Sequence, residues 1–284
     1  MVRMGLGSRI RRGAPEPPVL EPDAAPDAVP RDVAQLVATG GGLRGALDRY
    51  LTGLEPSRVG SPMLHASQLF GLCTRQVLLA RALKEVPQSV VPVTDRVRWD
   101  QGSAIHDLVR ERYLGPMGVL YGEWRCAKCE GITTGAMPKR CRCGGRRLLY
   151  EEREVKNEEL GIVGHLDGLE QRPGAGLGVL EIKTIDGALF KMLKQPQPEH
   201  TFRTHVYMWL AGLQWGRILY VSMAKERVSP FKEFYLRFDL RVAEQVRRTI
   251  EELRSGGRRC CEERQSARAL RCPVGRTCFA GPGG

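Results

Sequence analysis

The sequence predicts an α/β domain in which a mixed sheet is flanked by helices, and three observations predict it. Helical periodicity marks both flanks of the chain, short strand-like segments fill the middle, and one further helical stretch interrupts the strands after residue 200. The resulting order of helices, strands, helix, strands and helix suits layered packing better than an all-helical or all-β fold. A chain of 284 residues, 42% of them hydrophobic, can bury one substantial core and carry appendages.

Residues 1–30 are rich in Pro, Ala, Asp and Glu without a hydrophobic period, so they read as a flexible tail that cannot offset the entropy of ordering. The domain proper is expected over residues 31–280, with helical pattern from Asp32. A second helix is expected after Ser61 and Pro62, where Leu69, Leu72, Val77, Leu78 and Leu79 gather on one side, and a third over residues 96–114, carrying Gly102 and His106. After Gly118 the pattern turns to strands. Residues 124–147 read as a compact cysteine-bearing insertion, followed by strands over 152–155, 161–169 and 177–184. A helix over 200–213, strands over 218–223 and 231–238, and a basic amphipathic helix over 240–254 complete the domain.

The formal net charge of +12, with arginine as the main cation, favours a polyanionic partner, nucleic acid first, because guanidinium matches phosphate in a bidentate fork. A merely soluble basic protein is the alternative. No run of eighteen apolar residues occurs, which argues against a transmembrane helix and a membrane partner. The opening MVRMGLGSRIRRG lacks the apolar core of a secretory signal. Nine cysteines, several in close pairs, then read as metal ligands rather than disulfides, and the cytoplasm is the expected location.

Two of those pairs are Cys126 with Cys129 and Cys141 with Cys143. Four thiolates flanked by Lys128, Gly131, Lys139 and Gly144 can wrap a tetrahedral Zn²⁺ and give a small ribbon that uses the metal in place of a core. Free thiols are the alternative, and the single residue between Cys141 and Cys143 departs from the usual gap of two. Cys260, Cys261, Cys272 and Cys278 form a second group over residues 260–278.

The segment from Val179 to Thr184 alternates as a strand, which places Glu181 and Lys183 on one face and Leu180 and Ile182 on the other. Upstream, the strand-like run from Gly161 carries Asp167, and the glycines and Pro173 between them can turn the chain so that Asp167 and Glu181 converge. Two carboxylates from adjacent strands suit Mg²⁺ or Mn²⁺, and a neighbouring lysine can orient or help deprotonate an attacking water. An exposed strand with ordinary ion pairs is the competing reading.

Asp167 followed by Glu181-Ile182-Lys183 resembles the core motif of the PD-(D/E)XK nuclease superfamily. Gly102-Ser-Ala-Ile-His106 is similar to the Gly-x-x-x-His helix of its RecB-like branch, and Cys73-Thr74-Arg75 to the first cysteine segment of CRISPR-associated and phage-encoded RecB-like exonucleases. The resemblance spans roughly residues 61–280 and implies a restriction-endonuclease-like fold with the cysteine ribbon inserted. It implies catalytic metal held by His106, Asp167, Glu181 and the Ile182 carbonyl, with Lys183 assisting the water. It also implies a [4Fe-4S] cluster on Cys73, Cys261, Cys272 and Cys278, although Ala269 stands where the family places a closely preceding cysteine. Arg203 stands where the family has a glutamine, four residues before Tyr207; both are expected to face DNA, arginine being able to contact phosphate. His165 and His205 match no role in the motif and read as structural.

The implied function is a metal-dependent deoxyribonuclease, an exonuclease on single strands or strand ends serving phage DNA processing, recombination or repair. Two alternatives accompany it: a DNA-binding module with a degenerate nuclease core, and an end-trimming nuclease within a CRISPR adaptation complex.

Overall fold

The computed structural model describes residues 42–54, 63–83, 91–261 and 263–280. The expected tail over residues 1–30 and the helix start at Asp32 lie outside them. The chain divides after Leu54 into two units. The described part of the first contains helix α1 (Gly42–Gly53).

Among the described residues of the second unit, β1 (Leu64–His65), α2 (Thr74–Ala82) and α3 (Val93–Asp107) come first, then β2 (Leu120–Cys126), β3 (Ile132–Ala136), β4 (Leu148–Glu151) and β5 (Arg153–Asn157). It continues with β6 (Ile162–Leu166), β7 (Gly168–Arg172), β8 (Gly176–Ile185), α4 (Gly187–Met192), α5 (Pro198–Ala211), β9 (Trp215–Ser222) and β10 (Phe231–Arg237). Helices α6 (Leu240–Arg254), α7 (Ala267–Leu270) and α8 (Gly275–Cys278) follow. The strands form a larger sheet ordered β10-β9-β8-β7-β2-β3, with β4 also on β2, and a smaller one ordered β1-β6-β5. Pairing of β8 with β9 is parallel and that of β7 with β8 antiparallel, so the sheet is mixed.

β8 lies between β7 and β9 and is covered on both faces, which explains its nearly continuous apolar composition. Val179 enters one core with Val206 and Met208 of α5, whereas Leu180 and Ile182 enter a second with Trp124 and Val109. Each fully buried side chain of this size contributes about 1.5–3 kcal/mol. α5 starts with Pro198 in its first turn and ends at Gly212, whose φ of 68° forms a left-handed C-cap. In α6, Ala243, Val246, Ile250 and Leu253 are buried at helical spacing, and the Asp239 carboxylate caps the first turn.

The structure differs from the sequence expectation at three places. The expected helix does not open this stretch: the Leu64 amide bonds to the Gly161 carbonyl at 2.7 Å, β1 pairs with β6, one 3-10 turn follows at Ala66–Gln68, and α2 starts only at Thr74. The strand expected over 161–169 is two strands in different sheets, broken at Asp167. The helix expected over 96–114 widens into a π-helical stretch, Leu108–Leu114, where the Gly115 amide reaches the Arg110 carbonyl and Val109 and Arg110 turn inward. Among the described residues, no helix is long and apolar enough to cross a membrane.

α5 presses on β6 at a glycine. A Cβ on Gly164 would lie 2.4 Å from Tyr207 Cε1 and 3.2 Å from Ala66 Cβ. Gly164→Ala is expected to cost about 1–3 kcal/mol through overpacking, seen as a lower urea midpoint at constant slope; an unchanged midpoint would show that this contact yields freely.

Candidate active site

Asp167 occupies the joint between β6 and β7, Glu181 and Lys183 lie on β8, and His106 stands in the last turn of α3. A Cβ on Gly102, one turn earlier, would lie 3.5 Å from Thr184 Oγ1, so α3 runs close to β8 and delivers His106 to the joint. His106 Nδ1 is 3.3 Å from Asp167 Oδ1. Asp167 Oδ2 accepts the Ile182 amide at 2.7 Å. The Lys183 ammonium donates to the Ile182 carbonyl at 2.7 Å and lies 2.6 Å from Glu181 Oε1 and 3.4 Å from Asp167 Oδ2. Lys183 thus sits amid three oxygens that the sequence offered as metal ligands.

Burial alone would raise the pKa of Asp167, but the charge of Lys183 and the contact with His106 hold it far below the usual carboxylate range. Burial pushes Glu181 up, opposed by Lys183, reinforced by Asp167 and opposed again by Arg203. Glu181 is 1% exposed, and its Oε2 is buried without a hydrogen-bond partner. An orphaned carboxylate oxygen, a second carboxylate, a backbone carbonyl and an imidazole form a donor set whose chemistry suits a hard divalent cation, although the His106, Asp167 and Glu181 donor atoms do not all lie within 4.8 Å of one another. The residues therefore fit Mg²⁺ or Mn²⁺.

Arg203 lies on α5 with its Nε 2.8 Å from Glu181 Oε1, within ion-pair distance but without an aligned N–H bond. Tyr207, expected on the DNA face, is 5% exposed and packs its ring over Gly164. His205 accepts the Asp239 amide at the start of α6, and His165 stacks on His65.

Three participants escaped sequence reasoning. Arg110 is 4% exposed; its guanidinium bonds Glu152 at 2.7 Å, Asp107 at 2.5 Å and the Asp167 carbonyl at 3.3 Å. Its signal was available as the position four residues after His106 on the same helical face. The other two are His200 and Tyr220, joined at 2.8 Å between His200 Nδ1 and the phenol oxygen, with the Gln197 amide also donating to Tyr220. Burial and the charges of Lys183 and Arg203 push His200 down to about 3, leaving it neutral beside the site. Tyr220 is opposite Lys183 in the β8 and β9 register, a placement only the parallel pairing reveals.

The thiols of Cys126, Cys129, Cys141 and Cys143 all lie within 4.8 Å of one another, the one such group of metal-ligating side chains among the described residues. Cys126 is 3.7 Å from Cys143 and Cys129 is 3.6 Å from Cys141. Four sulfurs at Zn–S distances of about 2.3 Å would stand about 3.8 Å apart, so the group fits a tetrahedral metal despite the short gap between Cys141 and Cys143. Backbone amides of Lys128 and Cys129 lower the Cys126 thiol to about 7, while at Cys129 the Gly131 amide is outweighed by the neighbouring thiols, which push it up to about 12. A Cβ on Gly145 would strike Cys126 Sγ at 2.6 Å, so glycine keeps the cradle open.

At the other cysteine group, the Cys73 thiol reaches the Arg258 carbonyl at 3.8 Å. Burial raises the Cys73 pKa, but the Cys260 thiol and the Gln76 amide outweigh it and lower the net value. Cys272 and Cys278 flank the start and end of the α8 turn, which packs on α2 just after Cys73. Cys73, Cys261, Cys272 and Cys278 do not group within the 4.8 Å spacing of ligands around a single ion; thiolates on a cluster, each on its own iron, stand wider. Ala269 is buried in the place of the missing cysteine.

No family model matches the chain, and no curated protein matches it. Among solved structures it is similar to SSO0001, at a TM-score of 0.42 and 16% identity, covering 82% of this chain and 92% of that one. It is similar to an alkaline exonuclease from Laribacter hongkongensis, at 0.43 and 14%, covering 68% and 88%; that enzyme has also been solved with dAMP. A phage-related exonuclease from Haemophilus somnus 129PT follows at 0.31 and 10%, covering 70% and 94%. These likenesses are distant, and the chemistry of this chain is read from its own residues.

Two outcomes are expected. Arg110→Ala removes charged hydrogen bonds around Asp167 and should cost about 2 kcal/mol in chemical denaturation; no loss would mean that Arg110 does not hold the joint. Protein purified without added chelator should carry one zinc per chain that Cys126→Ser lacks, with a lower Tm in the variant; zinc retained at full stoichiometry would exclude the four-thiol site.

Proposed function

We propose that the chain is a Mg²⁺- or Mn²⁺-dependent deoxyribonuclease of the PD-(D/E)XK type, with a restriction-endonuclease-like core, acting at DNA strand ends. The observation that carries the reading is the chain of contacts from His106 through Asp167 and Lys183 to Glu181, with Glu181 Oε2 buried and unpaired. The net charge of +12 supplies attraction for the phosphate backbone.

Hydrolysis of a phosphodiester joins a water oxygen to phosphorus, breaks a phosphorus–oxygen bond and sends a proton to the leaving oxygen. Asp167, Glu181, His106 and the Ile182 carbonyl would hold the cation, which supplies charge neutralisation and acidifies bound water. Lys183 is poised by its contacts with both carboxylates to orient the attacking water and to offset negative charge at the phosphate. Arg110 keeps the Asp167 backbone still, and the apolar cores behind β8 exclude water from its far face. Zn²⁺ on the four thiols is assigned a structural role, and a [4Fe-4S] cluster on the second cysteine group remains part of the proposal, with Cys260 as a candidate ligand in place of Cys261.

A second reading, a DNA-binding module with a degenerate core, is favoured by the Arg203 contact to Glu181. The two separate in one assay. End-labelled single- and double-stranded DNA should be degraded with Mg²⁺ or Mn²⁺ and protected by EDTA, and Lys183→Ala or Asp167→Ala should lower the rate at least about 100-fold. DNA retained intact but shifted in a gel would establish the binding module instead.

A further inference from the structure

Two cations share one oxygen of Glu181. Lys183 Nζ lies 2.6 Å and Arg203 Nε 2.8 Å from Oε1, while Oε2 is buried and unpaired. If Glu181 binds a divalent cation, as the nuclease reading requires, three positive centres would compete for one carboxylate, and like charges at such distances repel strongly in a partly dehydrated site.

The two side chains are not equally tied. Lys183 is anchored to β8 through the Ile182 carbonyl at 2.7 Å and also reaches Asp167. Arg203 is held differently. Its Nε has the distance of an ion pair but no aligned hydrogen bond, and its side chain is 22% exposed, so part of it already reaches solvent. Between the two, Arg203 is the one that can leave.

We propose that Arg203 is an exchangeable cation that pairs with Glu181 until metal is bound and then moves its guanidinium to a DNA phosphate. This rests on the nuclease reading and deepens it. Arg203 has two jobs of opposite sign: it opposes metal binding at Glu181 and favours binding of the polyanionic substrate. A planar guanidinium suits the second partner because it can meet two phosphate oxygens at once. Metal binding and DNA binding become cooperative, since loading one site frees the group that the other needs.

The test measures both bindings separately from cleavage. Mn²⁺ binding is followed by the electron paramagnetic resonance of the free ion, counting only sites lost in Glu181→Ala. DNA binding is followed by fluorescence anisotropy of a labelled single-stranded oligonucleotide in Ca²⁺. In Arg203→Gln, Mn²⁺ should bind about tenfold more tightly and DNA about five- to tenfold more weakly. Arg203→Met carries the same prediction with an apolar stem suited to the half-buried slot, should the glutamine variant not fold. Weaker or unchanged Mn²⁺ binding would show that Arg203 merely positions Glu181 and would overturn the proposal, as would unchanged DNA affinity. Wild-type protein that binds no Mn²⁺ through Glu181 would overturn the nuclease reading as well, so the two failures are distinct.

Discussion

Asp167 takes the Ile182 amide on its carboxylate and gives its carbonyl to Arg110, and on this joint the rest of the site depends. The chain leaves the smaller sheet at Leu166 and enters the larger one at Gly168. Leu166 and Leu169 are both buried in the same core, which an unbroken strand would forbid because residues three apart point to opposite faces. Breaking the strand resolves that conflict and turns the residue between the two strands toward β8. A residue displaced from regular pairing is thus held by two specific hydrogen bonds in place of a ladder.

Around that joint, charge governs the arrangement. Two adjacent carboxylates, Glu181 buried and Asp167 partly buried, would repel one another without compensation. Lys183 lies between them, Arg203 adds a second cation to Glu181, and Arg110 engages the backbone beneath Asp167. His200, close to the same cations, is kept neutral and spends its ring nitrogen on Tyr220. The balance is local and mostly out of solvent, so a single charge removed here changes the behaviour of its neighbours more than one removed from the surface.

Local pattern was a good guide where packing follows local pattern. β8, with its apolar run, and α6, with its helical stripe, both read directly from the sequence, as did the common face of Glu181 and Lys183. β1 could not be read, because two residues become a strand only through pairing with β6 about a hundred positions away. The split at Asp167 was hidden for the same reason. Within the site, carboxylate spacing pointed to Asp167 and Glu181, while His106 needed a family resemblance. The contact of Arg203 with Glu181 was not legible, because the two residues come from different elements.

Cys126 has a double membership. It ends β2 and belongs to the four-thiol group, yet it is wholly buried in the same core as Trp124, Leu180 and Ile182. Cys129 and Cys143, by contrast, are exposed. An oxidant that reaches those outer thiols would disturb a group whose inner member packs against the strand that holds Asp167. Through Cys126, the chemical state of two exposed thiols is thus tied to the packing beneath β8.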